Sequence, residues 1–166
     1  MKKIIIALLI TFLYIRTAGA DIQDRIIKRA IQEIGHGEFL GDNQGPDIKR
    51  YLQGREGLSW CSGFVSYILY ECDVKDFGYE LMARNYLNKA KKIGWSTRYP
   101  ERGDLIVFWR GSRNSIQGHI GIIEKVDRDY IYTIEGNTGK YPSKVKRLKH
   151  KRNDEKILGY IHLKIS

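Results

Sequence analysis

Apolar residues recur at helical spacing in the first half of the chain. Residues 21–34 carry one such stripe, with Asp21 as a plausible N-cap. A second stripe follows Cys61 and predicts an amphipathic helix that begins at this cysteine. The second stripe consists of Phe64, Val65, Ile68, Leu69 and Cys72. Residues 48–52 predict a short helix, and residues 80–93 predict a further, weaker one.

The period changes after residue 104. Residues 105–109 are β-branched and aromatic and predict a strand. Residues 119–126 and 130–134 predict a hairpin around residues 127–129, and residues 145–148 and 157–165 predict further strands. Because helices come first and neighbouring strands follow, the pattern indicates an α+β fold with N-terminal helices packed on a C-terminal antiparallel β-sheet.

The first twenty residues have the composition of a secretory signal peptide. A positive start at Lys2 and Lys3 precedes an apolar run and the small residues Ala18-Gly19-Ala20. We expect cleavage after Ala20 and a single domain over residues 21–166. Arg16 leaves an uncleaved anchor as the alternative, although the apolar run is short for a permanent membrane span.

The mature chain is expected to be basic. Residues 1–20 contain three of the 29 basic residues and none of the 19 acidic ones, so removing them leaves 26 against 19 and a net charge of +7. In the periplasm or outside the cell, such a protein meets anionic polymers, chiefly cell wall and lipid surfaces. Nucleic acid is the other class of partner, but the basic cluster over residues 140–156 has no nucleic-acid motif and is interpreted as a solvated face.

Two cysteines remain, and they are not expected to pair. Cys61 and Cys72 lie eleven residues apart on one predicted helix, about 16 Å by the helical rise. A disulfide needs Cα atoms within about 7 Å. Cys61 would instead lie in the first helical turn, where unpaired N–H groups and the helix dipole favour a thiolate. A nucleophile and a buried structural cysteine are both consistent with this stretch.

A cysteine nucleophile needs a base and a residue that orients the base. His119 begins the first hairpin strand, and Glu135 and Asn137 end the second, so the hairpin brings them to face one another. Taken singly, each residue also has a structural explanation. His119 could be a hydrogen-bonded histidine at a strand edge, and Glu135 and Asn137 could stabilise the turn at a strand end. One cysteine and one placed histidine do not fill a zinc site. Residues 38–47 contain acidic and amide side chains that could bind calcium. Their spacing fits no known calcium-binding loop, so we interpret these residues as turn-forming.

Four segments of the chain form a combined pattern. They are residues 38–51, Ser59-Trp60-Cys61-Ser62-Gly63-Phe64-Val65, residues 100–108, and Gly118-His119-Ile120-Gly121-Ile122-Ile123 through Glu135-Gly136-Asn137-Thr138. Together these segments resemble the CHAP family. CHAP proteins are cysteine, histidine-dependent amidohydrolases/peptidases, related to the NlpC/P60 group and to papain-like folds. The resemblance implies Cys61 as nucleophile, His119 as base and Glu135 or Asn137 as third member. Ser62-Gly63 departs from the small alanine-type pair expected there, a change that should not impair catalysis.

The resemblance also implies a substrate. We expect an exported cysteine hydrolase, free of metal and organic cofactors, that cleaves an amide bond in the peptide part of peptidoglycan, as an endopeptidase or an N-acetylmuramoyl-L-alanine amidase. Trp60 is expected either to line the substrate groove or to belong to the core. The alternative is a non-catalytic wall-binding or envelope-assembly protein with the same fold. Stable membrane insertion is not expected, and a secretion-apparatus or immunity-type protein partner stays unidentified.

Overall fold

A computed structural model describes residues 22–164, which contain helices followed by strands. The helices are α1 (22–32), α2 (Pro46–Tyr51), α3 (Cys61–Glu71) and α4 (Ala83–Lys92). The strands are β1 (Ser96–Thr97), β2 (Leu105–Trp109), β3 (Gly118–Val126), β4 (Tyr130–Thr138), β5 (Lys144–Lys151) and β6 (Ile157–Ile161). The expected signal peptide and the Asp21 N-cap lie outside the described residues. Within them, no helix combines the length and apolar character that a membrane crossing requires.

The strands form one antiparallel sheet in the order β1-β6-β2-β3-β4-β5. The predicted hairpin is confirmed as β3 and β4, which pair with Ile122 opposite Ile134. The α+β fold class is therefore confirmed. Strand β6 lies between the edge strand β1 and β2, so it pairs with two strands that come well before it in the chain.

The main core lies between the helices and one face of the sheet. Helix α3 packs on β3 and β4, and α4 packs on β2, β3 and β6. Residues of this core include Ile26, Phe64, Ile68, Ile120, Ile122 and Ile134. A smaller cluster covers the other face of the sheet and consists of Ile106, Phe108, Ile123, Ile131 and Tyr160. The packing of α3 on β3 and β4 brings the start of this helix to the hairpin.

The apolar stripe of α1 differs from the prediction at its end. Ile22, Ile26 and Ile27 are buried as expected, but Ile31 is 38% exposed. The helix ends at residue 32, and the turn that follows directs Glu33 into the interior instead. The Glu33 carboxylate is stabilised there because it pairs with Arg29 and Arg50, each at 2.6 Å, and accepts a hydrogen bond from the Tyr51 hydroxyl. Polar pairing therefore replaces apolar packing at the end of α1.

Candidate active site

Cys61 is the first residue of α3. Gly57 precedes it with φ 76°, a left-handed conformation that glycine adopts without strain, and Trp60 is the N-cap. Gly63 allows α3 to approach α2, since a Cβ there would lie 2.4 Å from the carbonyl oxygen of Tyr51. Cys61 is 6% exposed and is not disulfide-bonded. The predicted position of the thiol in the first helical turn is thus the position observed.

His119 and Glu135 form a buried hydrogen-bonded pair on the hairpin. His119 Nε2 donates to Glu135 Oε2 at 2.7 Å, and the two residues are 5% and 1% exposed. Gly121, two residues after His119 on β3, provides the space for this contact. A Cβ at Gly121 would lie 2.5 Å from Glu135 Cγ, so a larger residue would displace the carboxylate.

The other oxygen of Glu135 is also occupied. Glu135 Oε1 accepts hydrogen bonds from the Thr133 hydroxyl and, at 2.7 Å, from His150 Nε2. Burial alone would raise the pKa of Glu135, but hydrogen bonds from His119 and His150 and their charges lower it to about 2. The carboxylate therefore stays ionised and fixes the orientation of the His119 ring.

The Cys61 thiol and the His119 imidazole favour each other's charged forms. Burial raises the pKa of Cys61, but a hydrogen bond with His119 and the charges of His119 and Arg110 outweigh burial, and the pKa is lowered. Burial likewise lowers the pKa of His119, but hydrogen bonds with Cys61 and Glu135 and their negative charges raise it to about 9. The arrangement favours a thiolate beside an imidazolium.

Asn137 and Trp60 occupy different places from the buried pair. Asn137 has φ 58° at an irregularity in β4, where the pairing with β5 shifts between Glu135 and Thr138. Among the side-chain hydrogen bonds of residues 22–164, none joins Asn137 to His119. Trp60 is fully buried and donates its Nε1–H to Glu38 at 3.2 Å. The structure places Trp60 in the core rather than in the groove, because the indole packs against Tyr51.

Two residues at the site were missed by sequence reasoning. His150 lies on β5 within the basic cluster and contacts Phe108 as well as Glu135, with ring centroids 4.7 Å apart from Phe108. Arg110 follows β2, and its Nη2 donates to His119 Nδ1 at 2.9 Å. Neither residue carries a local motif, and both reach the site through strand pairing. The charge pattern of residues 140–156 was the available signal for His150, but that pattern favoured a solvated face.

Two cavities adjoin at this site. One, of about 850 Å³, is lined by His119, Glu135 and His150, and the other, of about 340 Å³, is lined by Cys61. Arg110 and Gln117 line both cavities. A ligand that contacts the nucleophile and the base together would therefore contact these two residues.

A metal site would need several His, Cys, Asp or Glu side chains close together. Residues 22–164 hold no group of three or more His, Cys, Asp and Glu residues placed to bind a metal ion. In the loop at residues 38–47, the buried Glu38 carboxylate accepts hydrogen bonds from Trp60 Nε1 and from the Ser143 backbone N–H. Glu38 thus joins the loop to distant parts of the chain.

Comparison with known proteins gives one family and several structures. The family model for the CHAP domain matches the sequence over residues 53–137. The crystal structure of Ly7917 matches with a TM-score of 0.55 at 15% identity, covering 84% of this chain and 62% of that one. The structure of Ly7917 with the hydrolyzing product of MDP gives 0.57 at 15% identity, with coverages of 86% and 62%. A comparison with curated proteins finds no match.

A third structure comes from Staphylococcus aureus subsp. aureus Mu50. It is described as similar to lipoprotein, of the NLP/P60 family, and has a TM-score of 0.50 at 14% identity, covering 88% of this chain and 42% of that one. These likenesses establish a papain-like fold of the NlpC/P60 type, as the sequence predicted. The chain spans about 62% of the length of the Ly7917 structures.

Proposed function

The chain belongs to the CHAP domain family, and on this premise we propose that it is a cell-wall hydrolase with Cys61 as nucleophile and His119 as base. The observation that carries the proposal is the buried His119–Glu135 hydrogen bond of 2.7 Å beside a thiol at a helix start. The proposed reaction is cleavage of an amide bond in the peptide part of peptidoglycan. Glu135, rather than Asn137, is the proposed third member.

The first half of the reaction forms an acyl-enzyme. The Cys61 thiolate attacks the carbonyl carbon of the amide, and the carbonyl oxygen gains negative charge. The backbone N–H of Cys61 lies in the first turn of α3, where N–H groups lack intrahelical partners, and it stabilises this oxyanion. The His119 imidazolium then donates its proton to the leaving amine as the C–N bond breaks.

The second half releases the product. Neutral His119 accepts a proton from a water molecule, which attacks the thioester and frees Cys61. Glu135 accepts the Nε2–H of His119 throughout, so it holds the ring in place and stabilises each imidazolium that forms. The proposed chemistry uses Cys61, His119 and Glu135 of the chain, the substrate and one water molecule.

Two further observations favour peptidoglycan as the substrate. Ly7917, which shares the fold, has been crystallised with the hydrolyzing product of MDP. The net charge of +7 expected for residues 21–166 would attract an anionic wall polymer. Both observations concern the kind of substrate.

The test is digestion of purified peptidoglycan, with mass spectrometry of the soluble fragments. We expect fragments with a new amine and a new carboxylate, at a position that separates amidase from endopeptidase cleavage. Cys61→Ala should reduce the rate at least about 10³-fold, as the loss of a nucleophile does, and Cys72→Ala is the matched control. Wall binding by the wild type with no fragment released would support the non-catalytic alternative, and full activity of Cys61→Ala would refute the assignment.

Export to the periplasm or the medium is the second part of the proposal. It rests on the positive start, apolar run and Ala18-Gly19-Ala20 of the first twenty residues. N-terminal sequencing of the protein from the envelope or medium should begin at Asp21. A sequence that begins at Met1 in the envelope fraction would indicate an anchored protein instead.

A further inference from the structure

Arg110 places a positive charge at the proposed active site without a carboxylate to balance it. The residue is exposed, and its backbone is fixed by hydrogen bonds with the Gln117 carbonyl at 3.2 Å and the Ser115 hydroxyl at 2.6 Å. Among the ion pairs of residues 22–164, none includes Arg110. The polar contact of its guanidinium is the donation from Nη2 to His119 Nδ1 at 2.9 Å.

This contact is incompatible with the charged form of the base. A guanidinium can only donate hydrogen bonds, so His119 Nδ1 must be unprotonated while it accepts from Arg110. An imidazolium carries a proton on both ring nitrogens, and the Nε2 proton of His119 is donated to Glu135. When the proposed thiolate–imidazolium pair forms, the guanidinium must therefore leave Nδ1 and turn to another acceptor: the Cys61 thiolate, water or a substrate group.

The position of Arg110 indicates where this acceptor would come from. Arg110 lines both the cavity that contains His119 and the cavity that contains Cys61. A substrate that reaches both side chains passes the guanidinium. The planar fork of arginine matches a carboxylate, with two parallel hydrogen bonds, better than it matches a single neutral oxygen.

We propose that Arg110 is a substrate-binding residue that recognises a free carboxylate beside the scissile amide bond. The proposal rests on the proposed function for the identity of the substrate as a peptide. It adds that the preferred peptide is one whose carboxylate next to the cleaved bond is unmodified, and that the corresponding carboxamide is a poorer substrate.

The first test needs no substrate. Iodoacetate and iodoacetamide both alkylate a thiolate with loss of iodide, but only iodoacetate carries a carboxylate. The ratio of their rates at Cys61 therefore reports attraction of a carboxylate, because the thiolate fraction is common to both. We expect Arg110→Gln to lower the iodoacetate-to-iodoacetamide ratio about tenfold, and Arg110→Lys to lower it less. The matched control is Arg113→Gln, an exposed arginine of the same loop, which should leave the ratio unchanged.

The second test uses two muropeptides that differ only in a carboxylate or a carboxamide beside the cleaved bond. The wild type should prefer the carboxylate form in kcat/KM, and Arg110→Gln should lose about tenfold of this preference. If the alkylation ratio depends on Arg110 but neither peptide is cleaved, the carboxylate site stands and the proposed function fails. If peptides are cleaved and both ratios are the same in wild type and Arg110→Gln, the proposed function stands and the role of Arg110 is refuted.

Discussion

The two ends of helix α3 carry the same residue type with opposite properties. Cys61 begins the helix and Cys72 caps its end, and they are 6% and 3% exposed and free of disulfide bonds. Burial raises the pKa of both thiols. At Cys61 this effect is outweighed by His119 and the pKa is lowered, whereas at Cys72 the charges of Arg25 and Arg29 do not overcome burial and the pKa is raised.

The difference shows that the hairpin contributes to the preparation of the nucleophile. A helix start favours a thiolate by its dipole, and a helix end disfavours one. The neighbours of Cys61 that lower its pKa include His119 on β3, which Glu135 on β4 holds in place. The end of α3 has no such hairpin residue among the groups that affect Cys72. Changes on the hairpin should therefore remove the contrast between the two thiols.

Removal of the Glu135 charge is expected to have the largest effect. Glu135→Gln should lower kcat by about 10² to 10⁴ with little change in KM, because a neutral amide orients the imidazole but does not stabilise the imidazolium. The negative charge of Glu135 contributes to the His119 pKa of about 9, so its loss should move the alkaline limb of the pH–rate profile to lower pH. Steady-state kinetics over a pH series measures both effects.

Glu124→Gln is the matched control for this change. Glu124 is a partly exposed glutamate of β3 that pairs with Arg147 at 2.8 Å, away from the site. Its substitution should leave kcat and the pH profile unchanged. Near wild-type activity of Glu135→Gln together with an inactive Asn137→Ala would reverse the assignment and indicate a Cys-His-Asn arrangement.

Alkylation in the folded protein tests the contrast between the thiols directly. Iodoacetamide at neutral pH should label Cys61 more than about tenfold faster than Cys72, since each unit of pKa below the ordinary thiol value increases the thiolate fraction about tenfold. Peptide mass spectrometry over time gives the two rates. The exposed fractions of the two residues are both small, at 6% for Cys61 and 3% for Cys72. Equal rates, or faster labelling of Cys72, would contradict the proposed activation of Cys61.

His150 offers a smaller and more selective perturbation. His150→Ala removes one donor to Glu135 Oε1 but leaves the carboxylate charged, so we expect kcat to fall about tenfold while the alkaline limb stays in place. His150→Gln retains a donor and should recover part of the loss. His36→Ala is the control, because His36 is exposed and pairs with Asp47 at 3.1 Å. A shift of the alkaline limb to lower pH, as large as that of Glu135→Gln, would show that without His150 the Glu135 carboxylate loses its charge or its contact with His119.

The sequence predicted those parts of the site that depend on local spacing. The stripe after Cys61 placed the thiol at a helix start, and the short hairpin turn placed Glu135 near His119. Contacts that depend on distant pairing were missed. His150 lies on β5 opposite Ile131 of β4 and reaches Glu135 farther along the same strand, and residue spacing in the sequence does not reveal this pairing of β4 with β5. Arg110 follows β2 by one residue and contacts His119 through the pairing of β2 with β3.

The position of Trp60 also depends on a contact between residues that are distant in the sequence. An aromatic residue next to a nucleophile is consistent with a groove or with a core position, and the sequence left both open. The partner that decides the matter is Glu38, which lies 22 residues earlier and accepts the indole N–H in the interior. Such a contact appears only when the loop before α2 folds against α3, because the spacing of polar residues in that loop indicates only turns.

The smallest expected effect is on stability, at the other end of α3. Cys72→Ala removes one buried sulfur that packs with the core, so the free energy of unfolding should fall by about 1 kcal/mol, a small cavity cost. Urea denaturation measures this change, and kcat should equal that of the wild type because Cys72 takes no part in the proposed reaction. A loss of activity without a loss of stability would mean that the end of α3 influences Cys61, and the two ends of the helix could no longer be treated as independent.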